Sequence, residues 1–136
     1  MKAETKTKIS KGELINIADA LTYLATKETP AWYEIGKNLR SIKGFMIEVE
    51  GTREDIRNNC GKKDVNGDLE VVESNGVELI VWKDKNSESK QKEIWENFIN
   101  EDAPDIKFCK FSIEKLSDCK LNGGLLSNLL EIIITD

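Results

Sequence analysis

The chain has 136 residues, of which 39% are apolar, 33% charged and 7% aromatic, and 20 basic against 25 acidic side chains leave a net charge of −5. This composition describes one globular domain with a modest core, and it argues against a nucleic-acid footprint, which needs a clearly basic surface. There is no histidine, so imidazole bases, Cys–His and Ser–His–Asp nucleophile systems and nearly every common zinc site are excluded.

Residues 1–9 are lysine-rich and lack an apolar run, which reads as a flexible, solvated tail and not as a signal peptide. Ser10 and Glu13 stand at the spacing of a capping box, and Leu14, Ile17, Leu21 and Leu24 follow on one helical face. Thr29 and Pro30 read as the cap and first turn of a second, longer helix. Its apolar positions Trp32, Ile35, Leu39, Ile42, Met46, Val49, Ile56 and Cys60 step by three and four, with Arg53 interrupting the seam. The short connection makes the two helices an antiparallel hairpin over residues 10–60. Gly36, Gly44 and Gly51 each cost roughly 1 kcal/mol in a helix interior, and Gly51 is the expected place for an end or a bend. Gly61 fits the position just past the helix.

The period then changes. Asn66-Gly67 and Asn75-Gly76 are hairpin-turn dipeptides, and the β-formers of Leu69–Glu73 and Val77–Lys83 suggest a small antiparallel meander with Val77–Trp82 as its best strand. Polar residues Asp84–Ser89 are expected to separate it from a short third helix with Ile94, Trp95, Phe98 and Ile99 on one face, stopped by Pro104. Ile106–Ile113 reads as a further strand. Asn122-Gly123-Gly124 opens an apolar segment, Leu125–Ile134, that spaces like a helix at first and is open to either state over Ile132–Ile134. The expected fold is therefore α+β: one domain, 1–136, in which the helical hairpin is packed with a small antiparallel sheet and one or two short helices.

Few motifs carry chemistry. Asp64-Val65-Asn66-Gly67-Asp68 begins like a calcium loop, but Leu69 and Asn75 stand where that loop needs glycine and glutamate, which leaves a hairpin turn. Gly123-Gly124 lacks the lysine of a phosphate loop. Glu131, between Leu130 and Ile132, reads as a solvent-facing edge residue. Lys2, Lys6, Lys8 and Lys11 form a weak basic arm that reads as a solubilising terminus. The odd, widely spaced Cys60, Cys109 and Cys119 read as small apolar residues in a reducing compartment. No catalytic residue, metal or cofactor is expected.

Recognition is the better prospect. Trp32 and Trp95 are expected in the core, and Trp82 stands between core and rim. Tyr33, Arg40 and Ile47 lie off the seam of the second helix with Gly44 and Gly51 beside them. This is either a partner-binding ridge, with aromatic and arginine anchors next to bare backbone, or core covered by the sheet and third helix. The candidate partner-binding residues are Tyr33, Arg40, Gly44, Ile47 and Trp82. Arg40, Arg53 and Arg57 are the only arginines clustered on one element, the minimum for a pocket that would sequester a nucleotide signal.

The layout also resembles a family of small proteins from tailed phages and prophages of Gram-positive bacteria. The matching residues are Gly12-Glu13-Leu14, Ala20-Leu21, Leu24-Ala25 and Pro30, then Ile35 and Asn38-Leu39, then Gly61 with Asp64 to Gly67, and finally Leu126, Leu129 and Ile132-Ile133. The resemblance implies a phage or prophage origin and a life in the host cytosol, and it brings no catalytic residues. The expected function is a non-catalytic interaction module that binds and modulates a host or phage protein, such as a defence enzyme. The alternatives are virion assembly through self-association and, lower, a nucleotide-binding sponge. Neither a membrane nor nucleic acid is expected as a partner.

Overall fold

The computed structural model describes residues 9–116, 123–124, 129 and 133–135. Cys119, Glu131, the lysines before residue 9, and Leu125, Leu126, Leu130 and Ile132 of the last apolar segment lie outside them. Among the described residues the protein is α+β. Three helices, α1 (Lys11–Leu24), α2 (Trp32–Cys60) and α3 (Lys85–Asn100), accompany an antiparallel two-stranded sheet of β1 (Val71–Ser74) and β2 (Val77–Ile80). A short parallel pair, β3 (Phe111–Ser112) and β4 (Ile134–Thr135), flanks a 3-10 turn, Ile113–Leu116. The residues fall into two compact units, one of 1–46 with 99–136 and one of 47–98, so α2 contributes its first half to one and its second half to the other.

In the first unit, α1 begins as its sequence suggests. The Ser10 hydroxyl accepts from the Glu13 backbone N–H at 3.1 Å, and the Glu13 carboxylate accepts from the Ser10 N–H at 3.0 Å. Leu14, Ile17, Leu21 and Leu24 are buried, and so are Ile15, Ala18 and Ala20, so only the strip through Glu13, Asn16, Asp19 and Thr22 faces water. The stripe is wider than the single face expected, because α1 lies inside its unit and not on its rim.

The start of α2 is set by Thr29, whose hydroxyl accepts from the Ala31 N–H and donates to the Lys115 carbonyl at 2.6 Å. The helix then buries Ile35, Asn38, Ile42 and Phe45 in this unit. Leu39 and Met46 are only half-buried, and Trp32, expected in the core, is 70% exposed. The buried stripe keeps the steps of three and four but is rotated by about one residue toward Asn38 and Phe45. The reason is Asn38, which is fully buried and carries the return of the chain. Its amide nitrogen donates to the Cys109 carbonyl at 3.0 Å, and its amide oxygen accepts from the Cys109 N–H at 2.6 Å.

That return segment is not the strand Ile106–Ile113. Residues 103–110 have no regular pairing, and only Phe111–Ser112 are extended partners, in parallel register with Ile134–Thr135. The segment is held by polar contacts instead. Lys11 N–H donates to the Glu101 carbonyl and Ala103 N–H to the Ile9 carbonyl, both at 2.8 Å. Lys115 Nζ meets Glu34 Oε2 at 2.6 Å, and that ammonium group holds the Glu34 carboxyl below its ordinary value. Phe111, Leu116, Leu129 and Ile133 close the core.

In the second unit, α2 continues unbroken through Gly51 to Cys60, burying Val49, Ile56 and Cys60. A methyl group at Gly44 or Gly51 would meet open space, so these glycines are tolerated at an exposed surface and neither end nor bend the helix. Gly61 differs from its expected role. It lacks the left-handed conformation of a helix-terminating glycine, and its N–H continues the helical pattern to the Arg57 carbonyl at 2.9 Å. What it supplies is space, since a Cβ there would sit 2.5 Å from the Arg57 carbonyl oxygen and 2.7 Å from Leu69 Cδ2. The chain then turns through Gly67 (φ 84°), with Asp64 Oδ1 accepting from the Asn66 and Asp68 N–H groups, and forms the β1–β2 hairpin through Asn75 (φ 53°) and Gly76 (φ 80°). Positive φ at both central residues is the two-residue turn that an Asn-Gly pair favours.

The third helix starts earlier than its apolar residues indicate. Asp84 caps it, its carboxylate accepting from the Ser87 N–H at 2.7 Å, and the polar stretch after it is helical.

Two predictions follow from this packing. Asn38→Ala leaves the Cys109 N–H and carbonyl without their partner and should destabilise the protein by roughly 1–3 kcal/mol for each group so orphaned. Asn38→Asp should be no better, because a carboxylate would face the Cys109 carbonyl where the amide now donates. Gly61→Ala should cost roughly 1–3 kcal/mol through the clash with backbone, whereas Gly51→Ala, with free space around it, should gain about 0.5–1 kcal/mol by stiffening the unfolded chain. Urea unfolding of the four variants measures all of these.

Candidate functional site

The second unit contains a solvent-open hollow of about 160 Å³. Three periodicities converge on it. Arg53, Ile56 and Arg57 lie three and four apart on one face of α2, and Gln91 and Trp95 lie four apart on α3. Ile80 and Trp82 are two apart along β2 and its continuation, so they share a face of the extended chain.

The local architecture orients each group. Trp95 stacks on Phe98, the buried anchor of α3, with ring centres 5.4 Å apart and planes 25° from parallel. Arg53 lies over the Trp95 ring, its guanidinium carbon 5.2 Å from the ring centre. The same guanidinium bonds Glu50 at 2.7 Å, and Arg57 bonds Glu54 at 3.0 Å. Both arginine charges are therefore already matched by carboxylates one turn earlier on the helix. Trp82 is held by the pairing around it: the Lys83 N–H donates to the Cys60 carbonyl at 3.0 Å and the Lys62 N–H to the Val81 carbonyl at 2.7 Å. Asp84 then starts α3 and so determines where Gln91 and Trp95 fall along it.

Chemically the hollow is an aromatic and aliphatic cup with an amide and two neutralised guanidinium groups around it. No carboxylate, hydroxyl or thiol is among its lining residues. Its volume is well below the roughly 300–1,000 Å³ of small-molecule sites, and it fits one apolar or aromatic side chain better than a nucleotide.

The hairpin beside it has two unlike faces. The register pairs Val72 with Leu79 and Ser74 with Val77, which places Val72, Val77 and Leu79 on one face, each about half exposed. Val71, Glu73, Glu78 and Ile80 are on the other face, and Glu73 stands directly opposite Glu78. Like charges directly across an antiparallel pair repel, and neither carboxylate has a cation partner among the described residues.

The residues singled out from sequence are distributed as follows. Tyr33, Arg40, Gly44 and Ile47 are all exposed on α2, with Ile47 64% exposed. Tyr33 meets Trp32 edge to face at 5.9 Å. Trp82 is half-buried in the hollow, and Trp95, expected in the core, is half-buried in it as well. Arg53 and Arg57 reach the same hollow, whereas Arg40 does not. The sequence carries two signals for the hollow, namely Trp82 at the end of a strand and the arginine that interrupts the apolar seam at position 53. Gln91 and Ile80 carry none. Cys60 is buried and Cys109 half-buried, both as free thiols.

No family model, no curated protein and no solved structure matches the chain. No helix among the described residues is long and apolar enough to cross a membrane.

The Asp84 cap makes the site sensitive to acid. Hydrogen bonds from Ser87 hold the Asp84 carboxyl below its ordinary value of 3.8. A depressed carboxyl stabilises the folded state fully above its unfolded value, and the contribution is lost as pH falls through the folded value. An acid titration followed by helical circular dichroism should therefore show a smaller loss of stability below pH 3.8 in Asp84→Asn than in the native protein.

Proposed function

We propose that this protein is a non-catalytic interaction module that binds and modulates another protein through the 47–98 unit. The observation that carries this reading is the exposed aliphatic face of the hairpin, Val72, Val77 and Leu79, on the same strands as a tryptophan- and arginine-framed hollow. Aromatic and arginine anchors in a small pocket are the composition of an interface hot spot, and the aliphatic residues on the other face of the same hairpin add exposed apolar surface to it. Single exposed aliphatics, such as Ile47 on α2, are ordinary on protein surfaces; three together on a two-stranded sheet are not. On this proposal the target is a host or phage protein met in the bacterial cytosol, a defence enzyme among the candidates, as the sequence resemblance implies.

The same features weigh against the nucleotide-sponge alternative. A phosphate would have to displace Glu50 and Glu54 from the two arginines, and the cup is small for a base and sugar together.

Affinity capture from bacterial lysate tests the proposal with three forms of the full chain. The native protein should retain one stoichiometric protein partner. A Val77→Lys, Leu79→Lys double variant, folded by circular dichroism, should lose it, and Ile47→Asp should fold and keep it. Loss with Ile47→Asp alone would transfer the contact to the α2 ridge of Tyr33, Arg40, Gly44 and Ile47. Repeated blanks with the native chain would overturn the reading.

A further inference from the structure

The hairpin has a direction built into it, and the hydrogen-bond pattern reveals which edge is open. Val81 N–H donates to the Glu70 carbonyl at 3.0 Å, so 70 and 81 form a hydrogen-bonded pair. Pair types alternate along an antiparallel ladder, so 72/79 and 74/77 bond inward, while the backbone groups of Glu78 and Ile80 point away from β1. Beyond β2 the same alternation turns the Trp82 groups outward, since the single bridge Gly61–Trp82 is flanked by the Lys62–Val81 and Lys83–Cys60 bonds. The Cys60–Lys62 stretch thus extends the line of β1 along one side of β2. The other side, with the outward N–H and carbonyl groups of Glu78, Ile80 and Trp82, has no backbone partner among the described residues.

We infer that this edge accepts an extended segment of a partner protein as an added strand, and that the segment carries a basic residue two positions from an apolar one. The inference rests on the interaction reading above and specifies its chemistry. A strand placed beside β2 alternates its side chains with those it faces. The residue opposite Ile80 is on the Ile80–Trp82 face and enters the hollow against Trp95. The residue opposite Glu78 is on the same face, two positions away, and meets the unpaired charges of Glu78 and Glu73. The residue between them is on the opposite face and covers Leu79. Charge complementarity selects the occupant. A second copy of this chain adding the same edge would bring Glu78 toward another acidic hairpin, whereas a lysine or arginine relieves the repulsion already present between Glu73 and Glu78.

The test uses the full chain and fluorescently labelled peptides built on Leu-Val-Lys between threonines, read by anisotropy. The basic peptide should bind saturably. Replacing its lysine by glutamate, or methylating the leucine backbone nitrogen, should each weaken binding by about tenfold or more, a loss of about 1.4 kcal/mol. Glu78→Lys should reverse the preference, binding the glutamate peptide more tightly than the lysine peptide. Binding indifferent to peptide charge and to backbone methylation would overturn strand addition, and so would a native dimer that Glu78→Lys strengthens. If no peptide binds while lysate capture still depends on Val77 and Leu79, strand addition fails and the interaction reading stands. If native capture is also blank, both fail.

Discussion

The chain after α3 runs without regular secondary structure through residue 110, and one fully buried side chain, Asn38, ties its backbone to α2. Asn38 presents an amide donor and an amide acceptor to the two backbone groups of Cys109, just as a neighbouring strand would. Because the helix holds Asn38 rigidly, the chain after α3 has a fixed attachment point against α2. The contacts of Thr29 and Glu34 with Lys115 then fix its next turn, and Lys11 and Ile9 fix its beginning. The core residues Phe111 and Leu116 are carried into place by this polar lacing, which is directional where apolar burial is not.

That constraint explains where the sequence could be read and where it could not. The capping box at Ser10, the face through Leu14 and Leu24, the Thr29 cap and the Asn75-Gly76 turn are local devices, whose partners lie within four residues, and each was legible. The frame of α2 was legible in period but not in phase. Leu39 and Met46 are more apolar than Asn38, and burial of an amide becomes favourable only when its two partners arrive from seventy-one residues away. Trp32 went astray with it, because a frame rotated toward Asn38 and Phe45 turns position 32 to water. The strand expected at Ile106–Ile113 failed for a related reason. Ile106, Phe108 and Cys109 are only half-buried, and a side chain meets the backbone at Cys109, so the segment carries strand composition without a strand partner until Phe111.

The candidate site was half legible by the same logic. Trp82 stood out as a large residue at the end of a strand, and Arg53 as a charge within an apolar seam. Their meeting depends on two long-range arrangements. Gly61 lets the chain turn directly beneath Leu69, which positions the hairpin against its own approach strand. Asp84 begins α3 ten residues before Ile94, the first apolar residue of its inner face, which fixes the position of Gln91 and Trp95 along the helix. Neither glycine nor aspartate is an apolar residue, and hydrophobic period alone is blind to both.

The hairpin has a sequence that obeys its local rules yet leaves them unfulfilled. An antiparallel pair with one face on a core normally shows apolar residues inward and polar residues outward. Here the inward face holds Ile80 and Trp82 at its base but two glutamates at its tip, and the outward face holds Val72, Val77 and Leu79. Two-stranded sheets are marginal in water unless a face is covered or a third strand is added. The base of this one is secured by the Cys60–Lys62 stretch, while its tip combines exposed aliphatics, facing like charges and an open edge without the lysines or proline that commonly guard one. Each of these features is unfavourable to the isolated protein, and the proposed strand with its single cation would pair the open edge, cover Leu79 and offset the facing carboxylates. A surface that is costly alone and relieved by one kind of neighbour is the physical ground for the strand addition proposed here.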